Sequence, residues 1–236
     1  MPIDFNAFIQ IAGIRDLDEA NRLIDCGVRH LGFPLRLPVN LPDLSETEAA
    51  QVVRALPPHA HAIAITYQND ADEVLELLDD LGASAVQLHG DIEAAELQRL
   101  KQKRPAVQII KSLVVGAKAV DDLCRTVDLV SEHVDAFITD TFDPDTGATG
   151  ATGKTHDWQI SRELVNRSLR PVILAGGLTP ENVHAAILHV RPAGVDAHTG
   201  VEDAAGRKDD ARVRTFVQQA AAAFRAIRPS PTSNTH

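Results

Sequence analysis

The chain has 236 residues, 44% of them hydrophobic, and a formal net charge of −10, which supplies one sizeable core and excludes a basic face for nucleic acid or anionic membrane. Its two cysteines, Cys26 and Cys124, have neither zinc-knuckle nor redox-pair spacing, so a reducing cytoplasm is expected. Asp4 stands where a signal peptide carries positive charge, and no apolar run approaches the ~18–20 residues of a membrane span; the partner left is a small molecule, with the chain a monomer or homodimer.

Short runs rich in Ile, Val and Leu alternate with longer amphipathic stretches, the pattern of repeated strand-helix units over a parallel sheet. Phe8 to Ile14 predicts a strand and Asp16 to Cys26 a helix, with Ala20, Leu23 and Ile24 on one face and Gly27 as the stop. The next pairs are His30 to Leu35 with Glu46 to Leu56, and His61 to Tyr67 with Ala71 to Leu81, closed by Gly82. Ala85 to His89 and Val107 to Leu113 follow as strands, with helices from Ile92 to Lys103 and Val120 to His133. Ala136 to Thr141, Val172 to Gly176 and Val195 to Thr199 complete the strands. Their helices fall near Ile160 to Asn166, at Pro180 to His189, capped by Thr179, and at Asp210 to Ile227.

Eight such units nearly exhaust the chain, and they predict an α/β fold with a single (β/α)8 TIM barrel over residues 1–228 and a disordered Pro/Ser/Thr-rich tail over 229–236. Two segments break the rhythm: Pro34 to Leu44 after the second strand, and Phe142 to Trp158, rich in Gly, Thr and Asp, after the sixth. In a barrel both lie at the carboxyl ends of strands, where active sites form. Thr149 to Lys154 lacks the G-x-x-x-x-G-K-[ST] spacing of a phosphate loop and reads as a mobile lid.

The seventh strand runs into Leu174-Ala175-Gly176-Gly177-Leu178-Thr179-Pro180-Glu181-Asn182, and the eighth into Asp196-Ala197-His198-Thr199-Gly200-Val201-Glu202. Gly176, Gly177 and Gly200 either make tight turns or let backbone N–H groups approach an anion beside a helix N-terminus. Their pairing in the last two units favours a phosphate cup that includes Thr199.

With these motifs in view, the chain resembles the phosphoribosylanthranilate isomerase family along nearly its whole length. Gln87-Leu88-His89-Gly90 is similar to that family's QLHG, Gly150 to Trp158 to its GGTGKTFDW, Ile173 to Val183 to its LAGGLTPENV, and Gly194 to Glu202 with Gly206-Arg207-Lys208-Asp209 to its GVDVSSGVE and GxKD. The resemblance implies an Amadori rearrangement of tryptophan synthesis, in which an aminofuranose phosphate opens to a 1-amino-2-ketose phosphate without metal or cofactor. A carboxylic acid ending strand six, here Asp140, would protonate the ring oxygen, and a strand-one cysteine thiolate would take the C2 proton.

Several positions depart from the family's pattern. Gln10-Ile11-Ala12-Gly13 matches its K-(I/F)-C-G, so Ala12 stands at the thiolate's place. Val39-Asn40-Leu41-Pro42 occupies the region of a serine-proline-arginine run whose arginine helps hold the anthranilate carboxylate. Arg36 either reaches the site from earlier in that loop or faces solvent. His198-Thr199-Gly200 replaces Ser-Ser-Gly, and His156 a phenylalanine. An imidazole accepts protons near neutral pH, so His198, His89 or His156 is a candidate base; His198 could instead donate a hydrogen bond to phosphate. Lys111, where the family also has a lysine, either approaches the sugar or balances acids such as Asp140. A metal held by His89, Asp140 and His198 is the weaker alternative, lacking any short-range ligand pair.

The expected function is an isomerase acting on a phosphorylated sugar derivative with altered specificity. Asp140, His198 and His89 would do the chemistry, and Gly176, Gly177, Thr199, Gly200, Lys111 and Arg36 would hold substrate. The alternatives are a non-catalytic phosphosugar-binding paralogue and an engineered variant.

Overall fold

The computed structural model describes residues 2–38, 42–141 and 155–227. Val39-Asn40-Leu41, the lid read within residues 142–154 and the tail 229–236 lie outside the described residues. Eight parallel strands, β1 (Phe8–Ala12), β2 (His30–Pro34), β3 (His61–Thr66), β4 (Ala85–Leu88), β5 (Gln108–Val115), β6 (Ala136–Thr141), β7 (Val172–Leu174) and β8 (Gly194–Ala197), close into a barrel in sequence order. Closure is the pairing of β1 with β8, in which Gln10 meets Asp196 and Ile11 meets Ala197.

Alternation along each strand divides the core into two layers. Phe8, Ile63, Ala85, Ile110, Ile138 and Ile173 pack inside the barrel, with Phe5 and Ile3 among them. Their neighbours in sequence, such as Ile11, Leu31, Ile109 and Phe137, face the surrounding helices.

Those helices are α1 (Leu17–Asp25), α2 (Glu46–Ala55), α3 (Ala71–Leu81), α4 (Ala94–Lys103), α5 (Val120–Val130), α6 (Trp158–Arg167), α7 (Val183–Val190) and α8 (Asp210–Ile227). Local chemistry sets several of their ends. Asp16 caps α1 by accepting from the Glu19 N–H; Ser45 and Glu48 form a reciprocal capping box on α2; Gly82, with φ 77°, closes α3.

Boundaries differ from expectation where loop geometry intervenes. The first strand stops at Ala12 because Gly13 turns to φ 78°. Helix α7 begins at Val183, three residues after Pro180, because the Asn182 side chain is committed backwards: its Oδ1 accepts from the Thr179 N–H (2.8 Å) and its Nδ2 donates to the Gly177 carbonyl (2.9 Å). Among the described residues no helix is long and apolar enough to cross a membrane.

Candidate active site

Inward-facing positions at the carboxyl ends of the strands bring the candidate residues to one mouth. The β7 end supplies Gly176 (φ 96°) and Gly177 (φ 61°), conformations that a side chain strains. An ideal Cβ on Gly200 would lie 1.9 Å from the Leu178 carbonyl oxygen, and one on Gly176 would lie 2.1 Å from Thr141 Oγ1. The turns after β7 and β8 thus touch backbone to backbone, with Thr199 opening the 3₁₀ turn Thr199–Val201 beside them. The Thr139 hydroxyl accepts from the Ala175 N–H (3.3 Å) and anchors the same corner to β6. This is a concave backbone surface of the kind that holds phosphate.

Beside it, Asp140 is the penultimate residue of β6. Its Oδ1 accepts from the Thr141 N–H (2.7 Å), and its Oδ2 lies 3.4 Å from His89 Nε2, with both side chains largely closed off from solvent. The His89 ring stacks on Tyr67 at 5.2 Å. A line of buried amides orients it: Gln10 Nε2 donates to Gln87 Oε1 (2.9 Å), so the Gln87 amide nitrogen faces His89 Nε2 (3.2 Å). In that arrangement Nε2 accepts, and the imidazole proton sits on Nδ1.

Asp196, on β8, stands in a motif that sequence reasoning quoted without giving this residue a role. Its Oδ1 is shut off from solvent without a hydrogen-bond partner. Loss of hydration, then the charge of Asp140, pushes its carboxyl up to about 7, against opposing effects of a Gln10 hydrogen bond and the Lys208 charge. Register places it beside Gln10, one pair below Ile11 and Ala197 and two positions below Ala12. Spacing along the chain carried no signal for this, because a pairing between the first and last strands appears only when the barrel closes.

His198 also reaches the β1 end, its ring against Gly13, where an ideal Cβ would fall 2.1 Å from Nε2. That nitrogen lies 3.5 Å from Glu202 and 3.9 Å from Asp43. Desolvation, with Lys208 and Arg15 beside it, holds its pKa down at about 3. So weak a base does not match the role expected of it near neutral pH. Lys208 is buried in the same corner and donates to Glu202 Oε1 (2.6 Å) and to the His198 carbonyl (3.1 Å).

Three further expected residues are held by other partners. His156 is bound at both ring nitrogens, to Thr141 Oγ1 (2.9 Å) and Ser161 Oγ (2.6 Å), and desolvation lowers its pKa. Lys111 sits on the outward face of β5, between Ile109 and Leu113, because Ile110 and Ser112 take the inward positions. Its Nζ donates to the carbonyls of Leu88 (3.4 Å), Gly90 (2.9 Å) and Ser112 (3.1 Å), clamping the loop after β4; burial brings its pKa down to about 8. Arg36 turns away to Glu46 (3.0 Å), Glu76 (3.4 Å) and Asp80 (3.6 Å) on α2 and α3. His89, Asp140 and His198 do not converge on a metal position, and no such group of ligands occurs among the described residues.

Glycine turns after β7 and β8 beside a buried carboxyl on β6, at one mouth of a closed parallel barrel, define a class: a barrel protein with a candidate anion site at the carboxyl ends of its strands. The comparisons with known proteins narrow it. The family model for N-(5'-phosphoribosyl)anthranilate isomerase matches residues 9–219, and the chain belongs to that family. It is 38% identical to N-(5'-phosphoribosyl)anthranilate isomerase 2 of Methanosarcina mazei, over 93% of this chain and 96% of that one. It is 36% identical to the corresponding isomerase of Haloferax volcanii, over 93% and 95%. The crystal structure of the Thermotoga maritima enzyme superposes with a TM-score of 0.77 at 28% identity, covering 92% of this chain and 99% of that one. A phosphoribosyl anthranilate isomerase solved with reduced 1-(o-carboxyphenylamino)-1-deoxyribulose 5-phosphate matches at 0.75 and 25% identity, over 92% and 99%.

Proposed function

We propose that the chain isomerises a phosphorylated N-ribosyl compound of the phosphoribosylanthranilate type to its 1-amino-2-ketose, with Asp140 as acid and Asp196 as base. The cup made by Gly176, Gly177, Thr199 and Gly200 holds the phosphate. Asp140 gives its proton to the ring oxygen as the C1–O bond breaks, leaving an iminium at C1. Asp196 then takes the C2 proton, and the resulting enolamine becomes the ketone as C1 gains a proton and the C2 hydroxyl loses one.

The observation that carries this reading is the pair of unlike carboxyls in one mouth: Asp140 against His89, and Asp196 with a buried, unpartnered oxygen and a pKa near 7. A carboxyl that titrates near neutral pH can take up and return a proton at working pH, and Asp140 takes the acid's role from its place in the family's pattern. Ala12 has no proton-accepting group, so the work expected of a cysteine moves two residue pairs down the β1–β8 ladder.

Turnover followed by loss of the substrate's anthranilate fluorescence tests this. Asp140→Asn and Asp196→Asn are each expected to lower kcat by about 10²–10⁴, with inorganic phosphate binding retained. A full rate in Asp196→Asn sinks the assignment of the base. Binding of the substrate without C2 proton exchange in deuterated water favours a non-catalytic phosphosugar-binding role.

A further inference from the structure

Gln10 sits between Phe8 and Ala12 on the inward face of β1 and is fully buried. Its Nε2 donates to Gln87 Oε1 (2.9 Å) on β4, and the same amide favours the ionised form of Asp196, its register partner on β8. Its Oε1 is buried and has no hydrogen-bond partner. A buried carbonyl without a donor is destabilising, and an apolar side chain of similar length would avoid that loss. Packing therefore does not explain an amide here. What its N–H groups reach does.

On one side they reach Asp196. After loss of hydration, the other groups that act on that carboxyl are Asp140 from β6, which opposes its ionisation, and Lys208 from the segment before α8, which favours it. The Lys208 ammonium already donates to Glu202 Oε1 and the His198 carbonyl, which leaves Gln10 as the neutral donor beside the carboxyl. On the other side they fix Gln87, whose Nε2 then faces His89 Nε2 (3.2 Å), the nitrogen that lies 3.4 Å from Asp140 Oδ2. We infer that Gln10 is a positioning residue for both carboxyls of the site, holding Asp196 through its own amide and the imidazole beside Asp140 through that of Gln87. One buried side chain thus sets both the pH at which Asp196 ionises and the tautomer of His89. For turnover this rests on the reading of Asp196 as the base, whereas the titration and the tautomer are read without substrate.

Carbon-13 shifts of the Asp196 carboxyl and nitrogen-15 shifts of the His89 ring, followed against pH in the ligand-free protein, read both ends of this line. In wild type His89 should carry its proton on Nδ1. Gln10→Met removes the donors at similar length, and it is expected to move the Asp196 titration upward by about one pH unit and to mix the two His89 tautomers. Gln10→Lys, whose ammonium can donate in both directions, is expected to move that titration downward and to keep the Nδ1 tautomer. Gln87→Met should mix the tautomers and leave Asp196 where it is. The rising limb of kcat against pH should follow Asp196 in both Gln10 variants, with KM nearly unchanged; a side chain that only fills space would not move it in opposite directions. A His89 proton on Nε2 in wild type overturns the inference without any variant having to fold, and so does an Asp196 titration that is the same in wild type and Gln10→Met. If Asp196 shifts as expected while the limb stays in place, Asp196 is not the base and the hold of Gln10 on both groups stands.

Discussion

Asp196 has opposite consequences for stability and for catalysis, and they separate in pH. Its carboxyl titrates near 7 in the fold and at 3.8 as an ordinary aspartate, so the folded chain binds the extra proton between those values. Its contribution to stability is complete below about pH 4 and is lost as pH rises through about 7, with a slope on the order of 1.4 kcal/mol per pH unit at most. The ionised form is the base, so turnover should rise through the same window. His198 has the other sign: with its pKa lowered from 6.5 to about 3, its contribution is lost as pH falls from about 6.5 toward 3. The contribution of Asp196 is therefore read as a difference from wild type. Urea unfolding at pH 5 and pH 7.5 should show Asp196→Asn gaining stability relative to wild type at the higher pH. Equal differences at the two pH values would contradict a near-neutral Asp196. At this scale the sequence singled out Asp140 and His89, which stand in motifs at the carboxyl ends of β6 and β4. It did not reveal the proton affinity of Asp196, which comes from burial and from a charge on another strand.

Elements decide how closely the two halves of the anion cup approach. Gly200 has ordinary backbone geometry, yet an added Cβ would meet the Leu178 carbonyl at 1.9 Å. That contact is with backbone, which cannot rotate aside as a side chain does. Gly200→Ala should push the loop after β7 away from the one after β8 and weaken inorganic phosphate at least tenfold by calorimetry, while far-ultraviolet circular dichroism stays near that of wild type. Unchanged phosphate affinity would mean that the cup does not depend on this approach. Glycine positions were readable along the chain, and so were the stops and caps at Gly82, Ser45 and Asp16. The direction of Lys111 was not. A strand's two faces are separated by one residue, so the lysine's register against Ile110 decides between substrate and loop clamp, and only the packed barrel fixes that register. Arg36 was open for a related reason: its backbone is left-handed, with φ 51°, and its guanidinium is held by carboxylates from two helices.

At the scale of the whole molecule, the eight-unit count carried the barrel, but the seam where its ends meet has its own chemistry. Glu19 on α1 is almost fully buried and accepts from the Arg15 N–H (2.8 Å) and the Lys208 N–H (3.1 Å). Lys208 in turn reaches Glu202 and the His198 carbonyl. The first helix, the turn after β8 and the segment leading into α8 are thus tied through buried charge. Removing one member leaves the other without its counterion, a loss of roughly 3–5 kcal/mol for buried pairs. Lys208→Met keeps the apolar stem and deletes the ammonium, so its cost isolates the charge. It should lower the urea midpoint by an amount within that range, and it should also loosen His198 and the phosphate cup, because the same ammonium holds the His198 carbonyl. Glu202→Gln in the Lys208→Met background should recover part of the loss by removing the stranded carboxylate. No recovery would show that the seam is held by packing and backbone bonds, with the buried pair adding little.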